Sequence, residues 1–338
     1  MDKVAVVILN WNGAEMLRRY LPGVLEHTRG EVYVADNAST DGSMELLRNG
    51  FPAVRTILLD KNYGFAEGYN RALAQVDAEY AVLLNSDVEV RDDWVSPMLD
   101  YLENHPGVAA CQPKIRSLCA PDSFEYAGAS GGFIDYLGYP YCRGRIFDTV
   151  EVDCGQYDTP VPVFWATGAA LMVRMAVYRN TGGLDGRFFA HMEEIDFCWR
   201  LRSRGYGVVC VPSATVFHLG GGTLPKENPR KTYLNFRNNL YMLYKNLPEE
   251  HLRTVLRRRY WLDRLAALSF ALKGQFRSCR AVFRAYADFH TMKGELAVSR
   301  RENLLCACSA GIPEMLPCSI LWEYHVKKHR KYSDVMNK

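Results

Sequence analysis

The chain lacks any run of about 18 uncharged apolar residues, so a membrane-spanning helix is not expected. Its ten cysteines include no Cys-x-x-Cys pair. Cys306 and Cys308 stand two apart, but no further Cys or His lies at zinc-site spacing from them. The opening "MDKVAVVILNWNG" sets acid and base before a short apolar run and shows no small-residue cleavage site. Without an export pattern, the expectation is a cytoplasmic protein with reduced thiols. No G-x-G-x-x-G follows the first apolar run, where "NWNGAEML" stands instead, which argues against nicotinamide or flavin binding. A Gly/Lys-rich phosphate loop is missing there too, which argues against nucleotidyl transfer. There is no internal repeat.

What is present is ordinary in amount and uneven in placement. Of the 338 residues, 48% are hydrophobic and 23% charged, as in globular proteins. The length suits one large domain with an appendage. Residues 226–338 hold 22 basic and 10 acidic side chains, while residues 1–225 hold 19 and 28, so a net of +3 hides an acidic first part and a basic last part. The basic part could face anionic lipid or nucleic acid. Nucleic acid is not expected as a partner, because no known motif is present and the acidic part would repel phosphate.

Strand and helix signals alternate over the first hundred residues. "KVAVVIL", "EVYVAD", "VRTILLD" and "EYAVLLN" read as strands, with helical patterns between them. Units of this kind build a parallel sheet through crossovers, and such sheets bind ligands at the carboxyl ends of their strands. The polar clusters fall there: Asn10 and Asn12, Asp36 and Asn37, Asn62, then Asn85, Ser86 and Asp87. Residues 113–160 are rich in Gly, Tyr, Pro and Asp with little periodicity, and read as a long functional loop. "VPVFWATGAALMVR" (161–174) reads as a strand, "YGVVCVP" as another, and the chain after Pro229 as helical.

Four stretches carry candidate chemistry. Asp36, at the end of the second strand, could read a nucleoside or only satisfy its own loop. Asp87 could ligate a hard divalent cation that also takes diphosphate oxygens, and His218 could complete that site or be a packed histidine. "FFAHMEEIDFCWR" crowds Glu193, Glu194 and Asp196 into four positions. Asp196 and Arg200 are i,i+4 partners, which gives Asp196 a structural role and leaves Glu193 or Glu194 for chemistry. All three acids also suit a helix N-terminus electrostatically.

Taken together, "VVILNWNG", "VADNASTDGS", "NYGFAEGYNRAL", "LLNSDVEV", "ATGAALMVR", "FFAHMEEIDFCWRLRSRGY" and "PSATVFHLGGGT" resemble a family-two glycosyltransferase of the GT-A fold. The resemblance spans roughly residues 3–245 and is nearest the rhamnosyltransferase- and galactofuranosyltransferase-like branch. It implies an α/β fold with a mostly parallel central sheet flanked by helices. It implies a catalytic domain over 1–228, with an acceptor-side insert at about 113–160, and a basic helical extension over 229–338. Also implied is inverting transfer from a nucleotide-diphospho-sugar, dTDP-rhamnose or a UDP-sugar, to a glycan or lipid-linked glycan hydroxyl in surface-polysaccharide synthesis. By the same resemblance Asp87 and His218 hold Mg²⁺ or Mn²⁺. Asn10, Asn12, Asp36, Asn37, Asn62, Gly64, Phe65, Asn85 and Ser86 face the donor, and Trp165, Thr167 and Gly168 the acceptor. Glu194 is the base, with Glu193 its neighbour and competitor. The family's first metal-motif acid is Asn85 here, and its usual base Asp is Glu194. The competing reading is a nucleotide-sugar-binding module without turnover, which an assay for donor hydrolysis separates.

Residues 253–290 interleave arginines with Leu262, Leu265, Leu268, Leu272, Phe276, Phe283 and Tyr286. Helical spacing puts Phe276, Cys279, Phe283 and Tyr286 on one face. Such a basic amphipathic segment suits an anionic membrane surface, at the inner face of the cytoplasmic membrane, or the cover of a catalytic domain.

Overall fold

The computed structural model describes residues 2–220, 228–308 and 311–336. Strands β1 (Asp2–Asn10), β2 (Glu31–Asp36), β3 (Arg55–Leu58) and β4 (Ala78–Asn85) alternate with helices α1 (Ala14–His27), α2 (Ser43–Gly50) and α3 (Gly64–Leu73). They lie in the order β3-β2-β1-β4, all parallel, as the alternation implies. β1 shows the cause. Val4, Val6 and Ile8 enter one apolar layer and Ala5 and Val7 the other. Each fully buried Val or Ile contributes roughly 1.5–3 kcal/mol, so both faces of this strand demand helical cover.

Beyond β4 the direction changes. β5 (Val88–Glu89), α4 (Val95–Asn104) and β6 (Val108–Ser117) lead to β7 (Gly132–Asp135), β8 (Pro140–Cys142), β9 (Arg145–Ile146), β10 (Thr149–Val150), β11 (Val161–Pro162) and β12 (Ala170–Arg174). β12 inserts antiparallel between β4 and β6. Then follow α5 (Met175–Asn180), a 3₁₀ turn at Gly186–Phe188, α6 (Glu193–Ser203) and β13 (Gly207–His218). β13 runs parallel to β6 and takes β5 and β11 as antiparallel partners. Residues 161–174 are therefore not the single strand expected. Val163–Ala169 leave the sheet between β11 and β12. There Trp165 packs on Gly132 and its indole N–H donates to Phe133 O at 2.9 Å.

The Gly- and Tyr-rich insert is not an irregular loop either. It forms a second sheet, and β14 (Met315–Leu316) from the far end of the chain joins it parallel to β7, giving the order β10-β9-β8-β7-β14. Pairing at that separation leaves no local periodicity to read.

The last part contains α7 (Pro229–Asn246), α8 (Glu249–Leu272), α9 (Phe276–Cys306), α10 (Ile320–His325) and α11 (Tyr332–Met336). Asn228 caps α7 by accepting from Arg230 N at 2.8 Å. α8 and α9 form a hairpin whose turn contains Gly274 at φ +74°, a left-handed conformation that glycine adopts without strain. It is tied to the insert, where the Tyr139 hydroxyl donates to Asp263 at 3.2 Å and Arg259 donates to Leu137 O at 3.0 Å. Among the described residues no helix is long and apolar enough to cross a membrane.

Candidate active site

The ends of β1, β2 and β4 deliver three polar groups to one edge. Asn10 Nδ2 donates to Asp36 Oδ1 at 3.0 Å, and the other Asp36 oxygen accepts from Ser39 N at 2.9 Å. Asn12 accepts from Thr40 N at 2.7 Å, and its own N–H donates to Ser39 Oγ at 2.9 Å. Asp41 accepts from Ala14 N and from Ser43 N, each at 3.0 Å, so one carboxylate satisfies the first N–H of both α1 and α2. Asn10 and Asp36 thus shape the Asn37–Asp41 loop from beneath, both being buried. Beside them Asn37 Nδ2 donates to Asn62 Oδ1 at 3.2 Å and to Gly64 O at 3.0 Å. Gly64 has φ +75°, and a Cβ there would stand 2.7 Å from Phe189 O, so the position excludes side chains. Ser86 Oγ lies 3.7 Å from where a Cβ on Gly13 would sit, which puts the β4 end against the β1 loop.

Asp87 and His218 meet because β5 pairs antiparallel with the end of β13, His218 opposite Val88. His218 Nε2 lies 3.1 Å from Asp87 Oδ1 and 3.4 Å from Asn85 Nδ2. On the far side of the ring, Nδ1 lies 3.4 Å from Glu125 Oε2. Burial lowers the imidazole pKa, but the two flanking carboxylates outweigh it and push it up to about 10. Burial raises the Asp87 carboxyl, and the hydrogen bond and charge of His218 override that, leaving it below its ordinary value. Among the described residues no group of three or more His, Cys, Asp or Glu forms a self-sufficient metal site. One carboxylate and one imidazole, which ligates only after giving up the proton that Asp87 and Glu125 favour on it, fit Mg²⁺ or Mn²⁺ completed by diphosphate oxygens. Sequence reasoning missed Glu125, which lies in the insert it read as a loop. The Gly221–Thr223 end of the His218 motif lies outside the described residues.

α6 starts from strained backbone. Phe189, His191 and Met192 have φ of 66°, 71° and 72°, a region costly for residues with side chains. Glu193 is buried and Glu194 half-buried, and in each Oε2 is buried without a hydrogen-bond partner. Burial pushes both carboxyls up, Glu194 to about 7 and Glu193 well above its ordinary value with the Glu194 charge beside it. Gly168 stands between Glu194 and the donor-side Phe65: a Cβ there would lie 3.9 Å from Glu194 Cβ and 3.1 Å from the Phe65 ring. Its expected companions are engaged elsewhere. The Trp165 indole is buried on Gly132, and Thr167 is buried, donating from Oγ1 to Ala127 O at 2.8 Å and from N to Gln112 at 2.9 Å. Both brace the wall from inside, because the chain has left the sheet there.

α7 holds the strained segment. Asn238 Nδ2 lies within 2.9, 2.8 and 2.7 Å of the Phe188, Ala190 and His191 carbonyls, and Arg237 donates to Phe188 O at 2.9 Å. Phe65 N donates to Phe189 O at 2.6 Å from the other side. One helical turn along α6, Asp196 pairs with Arg200 at 3.0 Å, as the spacing implies. It also binds Lys245 Nζ and Asn246 Nδ2, each at 2.8 Å, which the spacing could not show. Arg200 closes the network on Thr181 O and Gly183 O.

A parallel sheet that gains antiparallel strands, polar loops at its strand ends and an acid-tipped helix beside them are the arrangement of the GT-A fold. The family model for glycosyl transferase family 2 matches residues 5–156. The N-acetylglucosaminyl-diphospho-decaprenol L-rhamnosyltransferase of Mycobacterium tuberculosis is 30% identical over 237 residues, covering 64% of this chain and 76% of that protein. The chain belongs to glycosyl transferase family 2. Among solved structures, S. aureus TarS 1-349 in complex with UDP-GlcNAc has a TM-score of 0.56 at 14% identity, covering 90% of this chain and 89% of that one. The mannosyltransferase PcManGT from Pyrobaculum calidifontis, in complex with GDP-Man and Mn²⁺, has a TM-score of 0.52 at 14% identity, covering 90% and 87%. At such identity these two speak for the fold.

Proposed function

We propose that this glycosyltransferase moves a sugar, with inversion at the anomeric carbon, from a nucleotide-diphospho-sugar to a glycan or lipid-linked glycan hydroxyl. The observation that carries this reading is the Glu194 carboxylate, half-buried, with a free oxygen and a pKa raised to about 7 beside Phe65 and Gly168. A base of that pKa is half deprotonated near neutral pH and takes the acceptor proton as the hydroxyl attacks. One carboxylate on one side of the sugar supports a single displacement and so an inverted product. Glu193 is more deeply buried, its carboxyl is raised by burial and then by the charge of Glu194, and in this reading it is the neighbour rather than the base.

Asn10, Asn12, Asp36, Asn37 and Asn62 hold the loops that receive the nucleotide. A divalent cation, Mg²⁺ or Mn²⁺, held by Asp87 and His218 would supply Lewis acidity at the departing diphosphate. Glu125 faces the ring of His218 from behind, 3.4 Å from Nδ1, and Asn85 and Ser86 present the strand edge on which Asp87 stands. The M. tuberculosis relative makes dTDP-rhamnose the first donor to try and a diphospholipid-linked sugar the first acceptor.

A panel of nucleotide sugars is screened with Mn²⁺ by thermal shift, because a specific donor stabilises the folded state by mass action. The stabilising donor is then assayed for turnover, and the product configuration is read by NMR. A donor that binds and is never turned over, with any acceptor or with water, would leave a binding module instead.

A further inference from the structure

The α8–α9 hairpin buries one face and leaves the other bare. Val255, Arg259, Asp263 and Ala267 of α8 and Val282, Ala285, Tyr286 and Phe289 of α9 point into the protein. On the outside of α8, Trp261, Leu265, Leu268 and Leu272 follow one another at helical spacing, 65%, 62%, 55% and 80% exposed. Phe276, just past the turn, is 70% exposed. The face expected from the sequence is corrected here. Tyr286 does not share the outer surface with Phe276 and Phe283, because its hydroxyl donates to the buried Asp263 at 2.8 Å. The outer stripe runs along α8 instead.

The surrounding charge has one sign. Residues 251–287 contain nine Lys and Arg and one acid, Asp263, which is buried in an ion pair with Arg259 at 3.2 Å. Arg257, Arg258, Lys273, Arg277, Arg280 and Arg284 are exposed. An apolar stripe alone would suit several partners. Framed by cations, it disfavours a second copy of the chain, which would bring like charges together. An anionic bilayer offers an apolar layer and a negative surface at once.

We infer that the outer face of this hairpin docks the protein on an anionic lipid bilayer. Trp261, Leu265, Leu268, Leu272 and Phe276 enter the boundary between headgroups and acyl chains. Lys273, Arg277 and Arg280 meet lipid phosphates around the turn. The inference is independent of which sugar is transferred and of which glutamate is the base.

The test uses the full chain with two kinds of vesicle, pure phosphatidylcholine and phosphatidylcholine with a third phosphatidylglycerol, in a flotation assay at low and high salt. The wild type floats with the anionic vesicles at low salt and is released by high salt. Lys273→Glu, Arg277→Glu and Arg280→Glu together lower the partition coefficient about a hundredfold. Trp261→Ser, Leu265→Ser and Leu268→Ser together lower it at least about tenfold. All six positions lie outside the catalytic machinery, so donor hydrolysis by the variants stays at the wild-type rate and reports that they are folded. Wild-type protein that stays unbound at low salt overturns the inference, as do variants that float like the wild type. A wild-type dimer that the triple serine variant dissolves, with vesicle binding unchanged, assigns the face to a second copy and overturns it too.

Discussion

The two sides of the cleft are built on different principles. On the donor side each polar residue sits at the end of its own strand, and its partners come from the next loop: Asn10 with Asp36, Asn12 with Thr40, Asn37 with Asn62. On the base side the strained segment before α6 is held from α7, through Asn238 and Arg237, and α6 itself through Lys245. One side is positioned by sheet topology, the other by hydrogen bonds across about fifty residues of sequence. The donor side should therefore tolerate changes in the C-terminal helices, and the base side should not.

The largest effect expected is at the base. Glu194→Gln keeps the shape of the side chain and removes proton acceptance, so turnover falls by about 10²–10⁴-fold. The thermal shift produced by the donor stays as in the wild type, because binding does not use this carboxylate. Turnover at the wild-type rate would remove Glu194 from the mechanism.

Next comes the clamp, which tests the comparison directly. Asn238→Leu keeps the volume and withdraws the donor from three carbonyls. Each buried acceptor left alone costs about 1–3 kcal/mol, and a loop shifted by an ångström can cost about 100-fold in rate. We expect kcat to fall by about 10–100-fold with the donor KM unchanged. If KM rises and kcat holds, α7 serves the donor side and the contrast between the two sides collapses.

The same contrast explains what the sequence showed. The first four strands were legible because Val4 to Ile8 and Ala81 to Leu84 are continuous apolar runs with turns on either side. Asp36, Asn62 and Asp87 were legible as strand-end residues for the same reason. Asp196 with Arg200 was legible as an i,i+4 pair. Glu125, Asn238 and Lys245 were not, because each acts on a residue at least 47 positions away and nothing in their own neighbourhood marks them. The insert hid its sheet because one strand comes from Met315–Leu316. Trp165 and Thr167, expected on the acceptor side, are buried because residues 163–169 leave the sheet, which no local pattern announces.

Glu125 crosses between the two regions, since an insert residue faces His218, which the proposed mechanism makes a metal ligand. Outer carboxylates that orient a ligating histidine are worth roughly 10–100-fold in metal affinity. Glu125→Ala should weaken Mn²⁺ binding towards the lower end of that range, measured by calorimetry on the protein with donor nucleotide present. Unchanged Mn²⁺ affinity would leave Glu125 as packing alone.

The smallest effect decides between the two glutamates. A base acts deprotonated, so kcat/KM must fall on the acid side of its pKa. With Glu194 at about 7, activity is half its plateau near pH 7 and drops about tenfold per unit well below that. Going from pH 7 to 6 thus costs only about fivefold. What raises Glu194 is burial, whereas Glu193 is raised by burial and by the charge of Glu194. The shift of Glu194 thus owes nothing to the charge of Glu193. Glu193→Gln should therefore lower the plateau little and leave the acid limb near pH 7. A limb that vanishes in Glu193→Gln and survives in Glu194→Gln would exchange their roles. A limb that moves down by a unit or more would mean that both ionise together, so that the apparent pKa belongs to the pair.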